Sequence, residues 1–219
     1  MSLLHLDAQI TSCRRCEDVL SRYGVVPRPI FHGAKDYPIL LLGQAPGKTE
    51  YEKNAPFQGE AGKSIKALFF TCGLNNFDDV VYQTSVTKCF PGRLSKAATD
   101  RVPSVTEVAN CRNFLISQLA LVRPRLIVAL GSLSWKALLS IKEEQVPGFC
   151  KLELNITEPN AVRVSDVVGS RFLIGDSQVL PMIHPSGAAN GTRSKYGAND
   201  ERSKALLRSS LIEIGVSVA

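Results

Sequence analysis

Two groups of residues in this chain have types and spacings suited to chemistry. The first is the cysteines, six in all, at positions 13, 16, 72, 89, 111 and 150. Cys13 and Cys16 form a Cys-x-x-Cys pair, which lets two thiolates converge on one centre. The pair suits metal ligation, a redox dithiol or two unrelated thiols, and spacing alone leaves all three open. Cys72 in FFTCGL and Cys150 in PGFCKL lie among apolar neighbours and read as ordinary buried cysteines. The second group consists of small, polar and titratable residues that follow apolar runs. These are Gly43-Gln44-Ala45-Pro46-Gly47, Ser85, Gly131-Ser132 and His184-Pro185-Ser186. The stretch LGQAPGKT suggests a phosphate-cradling loop, but such a loop needs four residues between its glycines, and position 42 is Leu. GEAGKS (59–64) fails in the same way, with Phe57 where a glycine is required.

The elements that must position these residues alternate along the chain. YPILLLG (37–43), DVVYQTSV (79–86), RLIVALG (125–131) and VLPMIHP (179–185) read as buried strands. Helical spacing appears over 60–71, where Ala61, Ile65, Leu68 and Phe69 share a face. It recurs after Ser104-x-x-Glu107, a capping-box start that leads into Val108, Cys111, Leu115, Leu119 and Val122. A short helix is expected over 132–140 and a closing amphipathic one over 200–213, while 143–178 reads as irregular with β-rich pieces such as RFLIG. This alternation predicts a three-layer α/β/α sandwich around a mainly parallel, four-stranded sheet, within one domain over 1–219. Ligands of such sheets bind beyond the carboxyl ends of the strands. All four clusters of the second group follow strand ends, so they share that rim.

Composition sets the outer bounds. The chain has 219 residues, 44% hydrophobic, enough to bury a core and too apolar for a disordered chain. No apolar run approaches the length of a membrane span, and the N-terminus lacks the pattern of a secretory signal, so a soluble cytoplasmic protein away from membranes is expected. Lys and Arg (26) exceed Asp and Glu (20), for a net charge of +6, which suits a polyanionic partner without proving one.

The segment GQAPGKTEYEKNAPFQGEAGKSIKALF resembles the first motif of the uracil-DNA glycosylase superfamily, above all its iron–sulfur-containing family four. The resemblance continues through VTKCFPGR, VPSVTEVANCRNFLISQL, RPRLIVALG and IHPSG, and covers about residues 13–140 and 179–187. It implies an enzyme of base-excision repair that flips uracil out of DNA and hydrolyses its N-glycosidic bond, leaving an abasic site. In that light Phe57 would stack on the flipped base, and Gly43, Ala45 and Gly47 would let backbone amides approach the base or a phosphate. His184 would donate to uracil O2 as charge builds there. Ser186 would hold a DNA phosphate, with Arg193 and Lys195 in the following GAANGTRSK giving positioning contacts. Cys13, Cys16, Cys89 and Cys111 would be the four thiolates of a [4Fe–4S] cluster, with zinc as the chemical alternative. That cluster would tie the N-terminal segment to loop 90–103, turning Arg93, Lys96 and Arg101 toward phosphate. The protein is expected to act as a monomer on DNA containing uracil or another deaminated base.

The chain departs from the family pattern at two places. Gln44 replaces the loop's Glu, and Ala45 stands where the wider superfamily can carry a water-activating Asp. The water is then positioned by Gln44 or backbone carbonyls, or a second carboxylate serves. Glu60 is the candidate, although a Glu in the first turn of a helix is also explained by the helix dipole. Ser85 occupies the place of an Asn that reads the uracil edge, and a hydroxyl lacks the paired geometry of an amide, which points to looser base selectivity. Three classes therefore stand: a glycosylase, a catalytically weak iron–sulfur DNA-binding protein of the same fold, and a nucleotide-dependent enzyme using the GKT stretch.

Overall fold

The computed structural model describes residues 2–32, 37–94, 99–142, 145–146, 163–185 and 197–218. The chain starts with two helices, α1 (Leu3–Thr11) and α2 (Glu17–Ser21). Strand β1 (Ile39–Gly43), helices α3 (Lys48–Lys53), α4 (Glu60–Thr71) and α5 (Phe77–Val80), and strand β2 (Val81–Ser85) follow. Next come α6 (Val105–Val122), β3 (Leu126–Leu130), α7 (Gly131–Leu139) and α8 (Val164–Val167). The hairpin β4 (Phe172–Ile174) and β5 (Ser177–Met182), then helix α9 (Gly197–Glu213), complete the order.

The sheet is β2-β1-β3-β5-β4, parallel throughout except that β4 runs antiparallel to β5. It therefore has five strands, where the sequence pattern predicts four. The additional one is the three-residue edge strand made by RFLIG, which is too short to show a periodicity of its own. The inner strands β1 and β3, and the edge strand β2 as well, are buried at every position, as expected of a parallel sheet covered on both faces. Successive residues of β1 serve opposite faces. Leu40 and Leu42 join Tyr82, Leu115, Leu119, Ile127 and Trp135 in one core, under α6 and α7. Ile39 and Leu41 join Ile65, Phe69, Val128, Leu180, Leu207 and Leu211 in the other, under α4 and α9. The three-layer α/β/α class expected from the chain is the observed one.

Helix α6 begins where its sequence signature predicts. The Ser104 hydroxyl accepts from the Glu107 amide at 3.3 Å, and the Glu107 carboxylate accepts from the Ser104 amide at 2.7 Å. Helix α4 occupies the predicted 60–71. All four predicted strands shift at their ends: β1 starts at Ile39, residues 79–80 belong to α5, Gly131 opens α7, and β5 ends at Met182, so His184 lies just past the strand. The N-terminal segment packs on α6 through Leu6, Ile10 and Phe114, and a separate small core holds Cys16, Leu20, Val25 and Phe90.

Candidate active site

Gly43 and Ser85 are register partners at the last rung of the β1–β2 pair, so these two strand ends meet side by side at the rim. A β-carbon on Gly43 would stand 3.1 Å from the Phe57 ring and 3.3 Å from Ser85 Oγ. Glycine thus leaves the space into which the ring fits. Phe57 adopts a left-handed φ of 50°, an uncommon state for a bulky residue and one often found at functional sites. Gly62 keeps it there, because a β-carbon at 62 would fall 2.0 Å from the Phe57 carbonyl oxygen.

The loop and the turn that carry these groups are joined by one carboxylate. Glu50, in the first turn of α3, accepts from the Gly47 amide at 3.0 Å, from Gln58 at 2.8 Å and from Gly59 at 2.7 Å. The Gly47 amide is therefore engaged by Glu50 and does not reach for a base or phosphate as the motif suggests. A second carboxylate, Asp100, accepts from the Lys48 amide at 3.1 Å and from Arg93 Nε at 2.7 Å, which links the basic loop to the start of α3. Neither acid stands out in the chain. The signal was the Gly47–Glu50 spacing, half of a capping box whose N-cap has no side chain.

His184 stands half-buried beside the end of β3, where a β-carbon on Gly131 would approach its Cβ to 3.3 Å. Burial holds its imidazole below the ordinary value and the charge of Glu50 opposes this only in part, so the ring is neutral at pH 7. Ser85 is 6% exposed, and its hydroxyl borders the space left by Gly43. Gln44 and Ala45 are half-buried in the loop, whose path is held by bonds from the Val86 amide to the Gly43 carbonyl at 2.9 Å and from Thr87 to Gln44 at 3.2 Å.

Other expected residues fall elsewhere. The Glu60 side chain is 85% exposed and pairs with Lys63 at 2.6 Å, which suits a first-turn surface residue and not a buried base. Arg101 is corrected more sharply. Its side chain is 8% exposed, it makes two hydrogen bonds of 2.7 Å to Glu107, and its guanidinium lies 4.1 Å from the centre of the Tyr23 ring. A guanidinium so enclosed pins the loop to α6 and is not presented to phosphate. Arg93 remains exposed at the surface while paired with Asp100. Lys96, Ser186, Arg193 and Lys195 lie outside the described residues, as does Cys150. Cys72 is buried in the core beneath α4 and α9, with its Sγ 3.6 Å from the Lys204 carbonyl.

Cys13, Cys16, Cys89 and Cys111 line one small cavity partly open to solvent, together with Arg15, Lys88 and Asn110. Cys16 Sγ accepts from Asn110 Nδ2 at 3.4 Å, and Cys111 Sγ accepts from the Lys88 amide at 3.5 Å. Burial pushes the Cys16 and Cys111 thiols up, opposed in part by Asn110 at Cys16 and by Lys88 at Cys111, and takes Cys89 to about 12. Among the described residues, no three Cys, His, Asp or Glu side chains stand close enough together to hold a metal.

Fold and rim together define a class: an α/β/α protein whose strand ends carry the Phe57 ring and the Ser85 hydroxyl beside Gly43, and His184 beside Gly131. The model of the uracil DNA glycosylase superfamily matches residues 30–208, and the chain belongs to that superfamily. It is similar to the type-4 uracil-DNA glycosylase of Archaeoglobus fulgidus, 36% identical over 130 residues, covering 59% of this chain and 60% of that protein. The type-4 enzyme of Pyrobaculum aerophilum is 33% identical over 64% of this chain and 66% of its own length. That of Thermotoga maritima is 28% identical over 81% and 78%. The matched stretch thus spans less than two thirds of the first two relatives and over three quarters of the third. Among the described residues, no helix is long and apolar enough to cross a membrane.

Proposed function

We propose that this protein is a DNA N-glycosylase of base-excision repair, acting as one unit on uracil in DNA. The observation that carries this reading is the meeting of Gly43, Phe57 and Ser85 at one rim, with the neutral His184 past the end of β5 on the same edge, beside Gly131 at the end of β3. A uracil inside a duplex is out of reach, so the nucleotide must turn out into this cleft. Phe57 offers a face for stacking, worth roughly 1–3 kcal/mol for a base on an aromatic ring. Ser85 offers one hydroxyl to the base edge, which can donate or accept and so admits more than one deaminated base.

In the reaction the bond between C1′ of the sugar and N1 of uracil breaks, and its electron pair leaves with the base. The charge spreads to O2, where an imidazole N–H from His184 stabilises it without first losing a charge of its own. Water adds to C1′ and releases a proton, which neutralises the departed uracil anion. Ala45 provides no carboxylate for that water, and Glu60 points to solvent, so Gln44 and the adjacent loop carbonyls orient it while leaving-group stabilisation supplies most of the rate. DNA phosphates are met by Arg93 and by the segment bearing Ser186, Arg193 and Lys195.

Cys13, Cys16, Cys89 and Cys111 hold a [4Fe–4S] cluster in this proposal. Four thiols lining one cavity supply the ligand set that either a cluster or zinc would use, and the likeness to the type-4 enzymes favours the cluster. The cluster would supply the positive charge that stabilises buried thiolates and would tie α2 to α6, since hydrolysis needs no electron transfer.

The test compares wild type with His184→Ala on single- and double-stranded oligonucleotides carrying uracil, hypoxanthine or xanthine, read by alkaline cleavage. The expected result is strand breaks on uracil with wild type and a loss of at least about a hundredfold with the variant. No break on any substrate, together with retained DNA binding, would replace the glycosylase with a binding protein.

A further inference from the structure

Asp100 is a carboxylate that the reaction leaves unused, and it stands between the basic loop and the base pocket. Arg93 and Asp100 face each other in an antiparallel bridge at the foot of that loop, and beside them the Arg101 amide donates to the Gly92 carbonyl at 3.0 Å. One oxygen of Asp100 accepts from Arg93 Nε at 2.7 Å, and the other accepts from the Lys48 amide at 3.1 Å. Glu50 takes the neighbouring Gly47 amide and carries the link on to Gln58 and Gly59, next to Phe57. Only glycine fits where the two acids meet. A β-carbon on Gly47 would stand 2.8 Å from Glu50 Oε2 and 2.9 Å from Asp100 Oδ2. The other side of the loop is fixed by the Arg101 bridge to Glu107 on α6. Pairing through Nε leaves the two terminal amino groups of Arg93, whose side chain is 39% exposed, for a phosphate.

We infer that Asp100 is a positioning residue that acts through Arg93, holding its guanidinium at a fixed place relative to the base pocket and offsetting its charge until a DNA phosphate is met. This rests on the glycosylase reading, in which Arg93 meets the DNA backbone. Phosphate contacts set the register of a protein on DNA and carry no sequence information. An arginine paired with an acid adds less to indiscriminate binding than a free one, because part of its charge is already balanced. The same carboxylate holds the start of α3, so the register set at Arg93 is passed to the loop beside Phe57. Asp100 thereby lowers general DNA affinity and raises the share of encounters that seat uracil against the ring.

The test uses the full chain as wild type, Asp100→Asn, Arg93→Gln and the double variant. Kd for an undamaged duplex at several salt concentrations, kcat on uracil-containing oligonucleotide, and Tm are measured for each. Asp100→Asn keeps an oxygen for the Lys48 amide and removes the charge that faces Arg93. It is expected to tighten binding of the undamaged duplex roughly threefold at low salt, while kcat falls roughly tenfold as Arg93 loses its fixed place. A merely structural role would weaken binding and rate together. Arg93→Gln should weaken binding of the undamaged duplex and reduce its salt slope by about one. In the double variant the tightening caused by Asp100→Asn should vanish. Should Asp100→Asn not accumulate as folded protein, Arg93→Lys, which keeps the charge without the Nε–H that meets Asp100, should show the same tightening and the same fall in kcat. Unchanged Kd and kcat in Asp100→Asn, or equal tightening in the absence of Arg93, would overturn this inference alone. A wild type that breaks no strand on uracil would overturn the glycosylase reading, and the binding comparison would then decide this inference by itself.

Discussion

Replacing Glu50 tests how the pocket is held together. Its carboxylate joins the loop after β1 to the turn that carries Phe57 through bonds to Gly47, Gln58 and Gly59 of 3.0, 2.8 and 2.7 Å. Glu50→Ala removes all three acceptor contacts. A hydrogen bond to a charged group contributes about 1.5–3 kcal/mol, but Glu50 is only half-buried and water can replace part of this, so a total near 2–4 kcal/mol is expected. Glu50→Gln keeps the oxygen that meets Gln58 and Gly59 but turns an amide NH₂ toward the Gly47 amide, for a cost of about 1–2 kcal/mol. With roughly 2–4 °C per kcal/mol for a chain of this size, Glu50→Ala should lower Tm by about 5–15 °C. The left-handed Phe57 would lose its support, so kcat/KM on uracil oligonucleotides should fall roughly a hundredfold, measured below the lowered Tm. The decisive assay is the double-mutant cycle with Phe57→Ala. If Glu50 acts through Phe57, the double variant loses little more than Phe57→Ala alone. Fully additive losses, or a Glu50→Ala enzyme with normal kcat/KM, would refute the reasoning.

Further outcomes follow from protonation. Because burial holds the His184 imidazole low, its titration in the pH–rate profile should lie below 6.5, and Glu50→Gln should move it lower still; a break above 6.5 would remove the neutral-donor assignment. For Glu107, burial opposes ionisation, but Arg101 and Ser104 outweigh it and hold the carboxyl below its ordinary value of 4.5. Its folded value is the depressed one, so the stability it gives is complete above the unfolded value and is lost as pH falls through the folded one. Thermal melts from pH 7 to 3 should show that loss. Glu107→Gln, which breaks a buried pair, should cost roughly 3 kcal/mol at pH 7 and flatten the acid decline. A variant as stable as wild type at pH 7 would show the Arg101 bridge to be dispensable.

Some of the site was legible from the chain because its signals are local. Ser104 and Glu107 face each other across one helical turn, so their capping box appears in the sequence and again in the fold. Arg101 was not legible in this way. As a letter in a basic loop it resembles a phosphate contact, and only its packing against Tyr23 and Glu107 turns it inward. Glu60 and Glu50 show the same difference. Both are first-turn glutamates, and what separates them is whether the chain returns with free amides, as Gln58 and Gly59 do for Glu50.

The sequence by itself determined the layered α/β/α class and the strand ends that bear Gly43 and Ser85, because hydrophobic period and turn chemistry act between near neighbours. Tertiary structure decided the edge strand β4, the carboxylate that binds the loop to the Phe57 turn, and the burial of Arg101 and Lys88. It also brought Cys13, Cys16, Cys89 and Cys111 around one cavity. These depend on chain segments many residues apart meeting in space, where the burial of a charge or amide is set by what arrives opposite it.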